Sequence, residues 1–430
     1  MAWCVMLGAT LMVCLNVSAD GGLTLARKAA IFQHDMEQRF LLDGQALCKR
    51  YVPTERRPFV SYNMPDNAYM TGIYLGALAM KYAVTRDEAD KAAAFDSINA
   101  LHRLCTVSGK KGVPARAIWP KDRPLADDGE WRDSPDGQYR WRGDVSSDQL
   151  DGIVFGYSLA FDLVADDKHK EIIAQDVGDI VTHILDNDMR VVDVDGKPTR
   201  FGNYSPQFVK TFEAMNALVL LQHLKVAAHV TGDDRFAREY RRIAIEEKYA
   251  ETAVRARWML FKVNFSDDVM LALAYYPLFR LENDPVLRAH YIASFKRSWH
   301  GEGRVPGMKA QRNLVYALLA REVLGDENAI AESVDNLRLF PLDMKWNRDT
   351  IAAYGKEFGF TFEPALKSAA PKPGEAVPLD RRARTWSAWV QDPFAHPVEQ
   401  RPDEGIEYNG HDFLLAYWFG RYLKCIAPDE

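Results

Sequence analysis

Cysteine is scarce: five in 430 residues, and two of these, Cys4 and Cys14, fall in an apolar leader. The remaining Cys48, Cys105 and Cys425 form no C-x-x-C pair and match no His spacing. That argues against structural zinc and leaves room for one disulfide at most, three buried thiols being the simpler expectation. Excess positive charge is lacking too, the formal net charge being −6, so neither nucleic acid nor an anionic membrane surface is expected as a partner. There is no G-x-S-x-G, no P-loop, no G-x-G-x-x-G and no H-E-x-x-H. Serine hydrolase, nucleotide triphosphatase, dehydrogenase and zinc protease readings all fall with them. Past the leader, no apolar run is long enough to span a bilayer.

The leader, Met1 to Ala19, carries no charge, centres on Leu7–Leu15 and ends Val17-Ser18-Ala19 before Asp20. It reads as a signal peptide, atypical in having no Lys or Arg near Met1. A secreted or periplasmic protein, with no stable membrane insertion after cleavage, is the expectation; an uncleaved anchor is the alternative.

What is present in quantity is a repeat. An apolar helical run ends in a short Asp-bearing turn, and a charged amphipathic helix follows. The turns are Thr85-Arg86-Asp87, Ala165-Asp166-Asp167, Thr231-Gly232-Asp233, Asn283-Asp284-Pro285 and Gly325-Asp326. The apolar runs before them are Met70–Val84, Val154–Val164, Ala214–Val230, Val269–Phe279 and Leu314–Leu324. A helix apolar all round is buried and one with a charged stripe faces water, so each unit supplies an inner and an outer helix. His411–Leu423 reads as a sixth inner helix with amphipathic Leu23–Leu47 as its outer partner. The expected fold is all-α: an (α/α)6 toroid over residues 20–430, with one small β-hairpin, Arg190–Val194 and Lys197–Phe201 around Asp195-Gly196. An open solenoid is the alternative, disfavoured by the irregular spacing of the turns. The stretch Glu363–Pro378, with four prolines, reads as a wrapping loop.

Because the inner helix leads each pair, every short turn falls at one end of the ring and every long connection at the other. That second rim receives six helix N-termini, whose partial positive charge favours an anionic group. The densest connection runs Trp131-Arg132-Asp133 through Arg140-Trp141-Arg142-Gly143-Asp144-Val145-Ser146-Ser147-Asp148-Gln149-Leu150-Asp151-Gly152. Asp148 and Asp151 share a helix face there, although Ser146 with Gln149 also makes a capping box that would explain acids in a first turn. Asn264-Phe265-Ser266-Asp267-Asp268 repeats the arrangement, Ser266 being able to cap and Asp267 or Asp268 to face the axis. Asn409-Gly410-His411-Asp412 opens the last inner helix, His411 and Asp412 being an acid/base with its orienter or a simple cap. Asn67, Tyr69, Arg116, Trp119, Asn203, Tyr204, Glu213, Arg312, Asn313 and Tyr408 complete the rim candidates. Aromatic faces stack on sugar C–H surfaces, and ten Trp and 18 Tyr supply many of them.

With its inner-first helix pairs, Arg140–Asp148 leading into an inner helix, and Ala416-Tyr417-Trp418-Phe419-Gly420-Arg421-Tyr422 near the end, the chain resembles the six-hairpin (α/α)6 carbohydrate-active superfamily of glycoside hydrolases and polysaccharide lyases. Its Trp-Arg-Gly is similar to that of unsaturated-uronide hydrolases, but Asp144 stands where Asn is expected, and no catalytic assignment carries over. The resemblance implies a polysaccharide or oligosaccharide substrate, and the Arg-rich rim with its converging helix N-termini suits an acidic, uronate-containing one in either mechanism. Hydrolysis would take two carboxyl groups across the bond, Asp148 or Asp151 with Asp267 or Asp268, and no cofactor or metal. Elimination at a uronate would use Tyr204 or His411 as base, with Arg140, Arg142 or Asn203 neutralising the sugar carboxylate. Trp141, Asp144, Tyr408 and Asp412 are further candidates for substrate binding. A glycan-binding or structural toroid is the non-enzymatic alternative.

Overall fold

The computed structural model describes residues 23–55, 58–125, 127–259, 263–362, 368–382, 387–395 and 405–430. The leader at 1–19, and residues 363–367 of the proline-rich loop, lie outside them.

Twelve helices carry the architecture: α1 (Leu25–Asp35), α2 (Asn67–Thr85), α3 (Glu88–Thr106), α4 (Ser147–Leu163), α5 (Asp167–Asp186), α6 (Ala214–Thr231), α7 (Asp234–Arg241), α8 (Phe265–Leu281), α9 (Pro285–His300), α10 (Leu314–Leu324), α11 (Ile330–Arg338) and α12 (His411–Tyr422). The even-numbered helices are buried around most of their circumference. They pack in chain order, α2 on α4, α4 on α6, α6 on α8, α8 on α10 and α10 on α12, and α12 returns to α2. The ring is closed. The odd-numbered helices lie outside it, α3 on α2, α5 on α4 and α6, α7 on α6, α9 on α8 and α10, α11 on α10, and α1 on α12. This is the (α/α)6 toroid, and the solenoid alternative falls because α12 touches both α10 and α2.

The short turns behave as their residues require. Asp87, Asp166, Asp233 and Asp284 each accept a backbone N–H of the following helix, and Arg86, Gly232 and Gly325 end the preceding one in the left-handed conformation. The first helix is shorter than Leu23–Leu47. It runs into a π turn at Met36–Phe40, and the chain then reverses at Asp43-Gly44, where both residues take positive φ. Asp-Gly is the pair such a two-residue turn demands.

Strand content also exceeds the expected hairpin. That hairpin is present as Arg190–Val192 with Pro198–Asn203, but Ala117–Pro120, Trp131–Asp133 and Tyr139–Arg142 form a three-stranded antiparallel sheet ahead of α4. The side chains of Tyr139-Arg140-Trp141-Arg142 alternate across that sheet, Trp141 lying buried under the Arg132 guanidinium. Cys48 and Cys105 are buried and Cys425 half-buried, all three as free thiols. Among the described residues no helix is long and apolar enough to cross a membrane.

One contact places the site. Where α2 crosses α4 the backbones touch: a Cβ at Gly72 would lie 1.9 Å from the Gly152 carbonyl oxygen, and one at Gly156 would lie 2.3 Å from that of Gly72. Only glycine permits that approach. α4 also touches α8 across the ring, which leaves the axis narrow.

Candidate active site

Four consecutive inner helices begin with an acid that is neither buried nor freely exposed: Asp66 before α2, Asp148 in the first turn of α4, Glu213 before α6, and Asp267 in the first turn of α8. Each therefore sits at the positive end of a helix and at the same rim of the ring.

Asp66 and Asp148 are joined by one side chain. The Gln149 amide nitrogen donates to Asp66 Oδ1 at 3.0 Å and to Asp148 Oδ2 at 3.2 Å, while its oxygen accepts the Tyr69 backbone N–H. Two carboxyl oxygens bound to one nitrogen are close neighbours. The capping box expected at this turn does not form, because Gln149 reaches across to α2 and the Ser146 hydroxyl donates to Asp148 while accepting from Arg116. Arg116 is fixed in turn by the carbonyls of Pro65 and Asp144, with its guanidinium 3.6 Å from Asp66. Burial, and then the charge on Asp148, push the Asp66 carboxyl up to about 6 despite Arg116.

Across the mouth, Asp267 accepts the Asn264 amide at 2.7 Å and has no cation partner among the described residues. Burial, then the charges of Glu213, Asp268 and Asp148, raise it to about 7. Glu213 is raised by burial as well. Next to Asp267 in the chain, Asp268 has the opposite fate. Fully buried, it takes both arms of the Arg257 guanidinium at 2.6 and 2.9 Å and the Gln311 amide at 2.5 Å. A carboxylate held on that many donors is structural.

Asp151 lies one turn below Asp148, wholly buried, with no hydrogen-bond partner on either oxygen among the described residues. Burial, and then the charge on Asp148, push its ionisation well above the ordinary range. Tyr204 is also fully buried, its hydroxyl 3.5 Å from His223 Nε2. His411 and Asp412 lie deeper than the acids. With Tyr69, Asn313, Tyr316 and Trp389 they line an axial cavity of about 20 Å³, enough for one water molecule or so. His411 is lowered to about 4 by burial and its Nδ1 meets Asn409 Oδ1 at 2.6 Å. Asp412 is the fixed end of a buried ion pair with Lys345 at 2.9 Å and accepts the Ala388 N–H, so it holds the 387–390 segment over the axis.

The residues expected to bind substrate are largely spent on the scaffold. Arg142 pairs with Asp127 at 2.8 Å, and Arg140 donates to the Lys121 carbonyl. Asp144 accepts the backbone and side chain of Arg200. Asn203 accepts the Ser205 N–H and hydroxyl and folds its own turn. Tyr408 pairs its backbone with Lys345 and stacks under Lys49. Arg312 pairs with Glu332, Asn313 caps α10, and Asn67 accepts the Cys48 N–H. Trp119 and Trp141 are core. Asp66 was absent from the sequence candidates; its signal is the same as that of Asp148, an acid at the start of an inner helix. Among the described residues no three His, Cys, Asp or Glu are grouped to hold a metal ion.

No protein-family model matches the chain, and no curated protein matches it. Two solved structures align with it along nearly its whole length. An unsaturated glucuronyl hydrolase specific for heparin is 11% identical over 94% of this chain and 98% of that one, with a TM-score of 0.48. A sugar epimerase from a ruminal bacterium is 9% identical over 93% and 100%, with a TM-score of 0.44. At that degree of likeness, the toroid stands on its own closed circuit of helix contacts.

Proposed function

We propose that the protein is a carbohydrate-active enzyme, a glycoside hydrolase that cleaves an oligosaccharide or polysaccharide at the acidic mouth. Asp267 donates a proton to the departing glycosidic oxygen, and Asp148 accepts a proton from the attacking water. Asp66 shares the Gln149 amide with Asp148 and fixes its orientation. The observations that carry this reading are the Asp66 and Asp148 carboxyl groups on one amide nitrogen and, at the start of a third inner helix, the Asp267 carboxyl raised to about 7 with the Asp148 charge among its causes. Acid–base cleavage of a glycosidic bond takes a carboxyl group that still holds its proton near neutrality and a second carboxyl group to act as base.

The reading carries no preference for acidic sugars, because Arg140 and Arg142 are engaged by the scaffold. Elimination has less support, since both bases named for it, Tyr204 and His411, are buried. A leader at 1–19 goes with action outside the cytoplasm.

The test is incubation with neutral and uronate-containing oligosaccharides, following new reducing ends and ultraviolet absorbance together. Reducing ends without absorbance, lost in Asp148→Asn, support hydrolysis. An absorbance rise replaces it with elimination, and neither signal from any sugar ends the enzymatic reading.

A further inference from the structure

The axial cavity lies between four inner helices, with Tyr69 from α2, Leu273 from α8, Tyr316 from α10 and His411 from α12 in its wall. Most of that wall is apolar, and a few polar groups interrupt it with bonding capacity unspent. The Tyr316 hydroxyl is wholly buried with the Asn313 side chain alongside, and no hydrogen bond closes on it among the described residues. Asn313 spends its oxygen on the Val315 N–H, which leaves the amide nitrogen to donate. Asn409 fixes the state of His411. Its amide nitrogen donates to the Leu47 carbonyl, so its oxygen is the acceptor that meets His411 Nδ1. Nδ1 therefore carries the proton, and Nε2 of a ring that burial lowers to about 4 is a bare acceptor. Tyr69 joins this cavity to the acids. Its backbone N–H donates to the Gln149 oxygen, on the same amide whose nitrogen holds Asp66 and Asp148. Burial, then the charges of Asp151 and Asp148, push its hydroxyl well above the ordinary range, and Tyr316 adds to them. Among the described residues no Lys or Arg lines the cavity. Its one carboxylate, Asp412, is matched by Lys345 at 2.9 Å and by the Ala388 N–H.

We infer that this cavity is the specificity pocket of the mouth, taking the hydroxymethyl group of a neutral hexose on the Tyr316 hydroxyl, the Asn313 amide and His411 Nε2. A hydroxyl is donor and acceptor at once, so it gives its proton to the bare Nε2 and accepts from the amide. With about 20 Å³ of room, the cavity admits one small polar group and refuses a sugar ring. The hydroxymethyl group stands off the ring on a carbon of its own, and so reaches past Tyr69 where the ring cannot. A carboxylate in its place has no proton for Nε2, stands against Asp412 and finds no cation in the wall. A sugar without the group leaves the buried polar atoms unpaired, which is how a site rejects an analogue lacking a hydroxyl. The inference rests on the hydrolase reading for what occupies the mouth, and it narrows the substrate to chains of neutral hexose.

The experiment is calorimetric titration of Asp148→Asn protein, alone and combined with Tyr316→Phe. The probes are trisaccharides of glucose, of galactose and of mannose, and for each the counterpart in which a hydrogen or a carboxylate replaces the hydroxymethyl group. The expected result is that a hexose trisaccharide binds and that either replacement weakens it about tenfold or more. Tyr316→Phe weakens the hexose by a similar factor and leaves the hydrogen counterpart unchanged. It does not lower the thermal midpoint, because the hydroxyl it removes is unpaired in the free protein. Equal binding of the three forms, tighter binding of the carboxylate, or binding of no hexose overturns the pocket. So does a lower thermal midpoint in Tyr316→Phe with affinity intact, which would make the cavity a site of structural water. Because binding is read without turnover, hydroxymethyl-dependent affinity in a protein whose wild type hydrolyses nothing would end the hydrolase reading and leave the pocket standing. Cleavage indifferent to the three forms would do the reverse.

Discussion

The two sides of the mouth are built differently. On the α2/α4 side the backbones cross in contact at Gly72, Gly152 and Gly156, and Gln149 and Arg116 pin the acids from several directions. No exposed ring lies there among the described residues. On the α6/α8 side the acids facing the mouth have no cation partner among the described residues, and the charge of Glu213 adds to burial in raising Asp267. Burial and repulsion raise an acid on both sides, and only on the first are two acids also held by a donor shared between helices. A pair held by shared donors and an acid raised toward neutrality are the two halves that the proposed hydrolysis would need.

Four changes test that contrast, in falling order of expected effect. Arg257→Met leaves Asp268 buried without its partner, and stability drops by about 3–5 kcal/mol. Thermal unfolding checks it, and a small loss would mean Asp268 is not the anchor of the α8 side. Asp148→Asn, with folding intact by circular dichroism, lowers kcat about 10²–10⁴-fold on whichever oligosaccharide is cleaved; residual activity near wild type moves the chemistry elsewhere. Gly152→Ala drives a methyl group into the backbone of Tyr69, costing about 1–3 kcal/mol or more as the helices separate. Its activity should fall further than that of an equally destabilised variant on an outer helix.

Asp267→Asn gives the finest reading. A carboxyl raised to about 7 in the folded protein binds its proton more tightly there than in the unfolded chain. Its contribution is full below the ordinary range near 4 and is lost as pH rises through about 7. Activity that needs the protonated acid falls over the same upper limb. The Asn variant should lose that limb along with most activity, and should be the more stable protein at pH 8. Identical stability–pH curves for the two would show that Asp267 titrates normally.

The ring was legible because its signal is repeated. Four of the five turns cap the helix that follows them, and inner and outer helices differ in composition along their whole length. Boundaries failed where a short local cue overrode the period, as at Asp43-Gly44, which turns the chain back after Phe40. The three-stranded sheet was missed because its alternation spans only Tyr139–Arg142 and was read as a loop. The rim was legible as a place, since long connections gather where inner helices begin. Individual roles were not. Asp267 and Asp268 are identical in the sequence, and only Arg257 and Gln311, at 11 and 43 positions' remove, separate them. The basic residues at 140 and 142 looked free because the partners that occupy them, the Lys121 carbonyl and Asp127, lie in the connection between the other two strands of the sheet.

The return of α12 to α2 has a consequence for synthesis. These neighbours are separated by more of the polypeptide than any other adjacent pair in the circle, and α1 rests on α12 as well. The first hairpin made must therefore wait, its seam uncovered, for the last helix to leave the ribosome. Non-local closure of this sort is slow and leaves apolar surface open to aggregation in the interval. A chain stopped short of His411 would lack the keystone of its own wall.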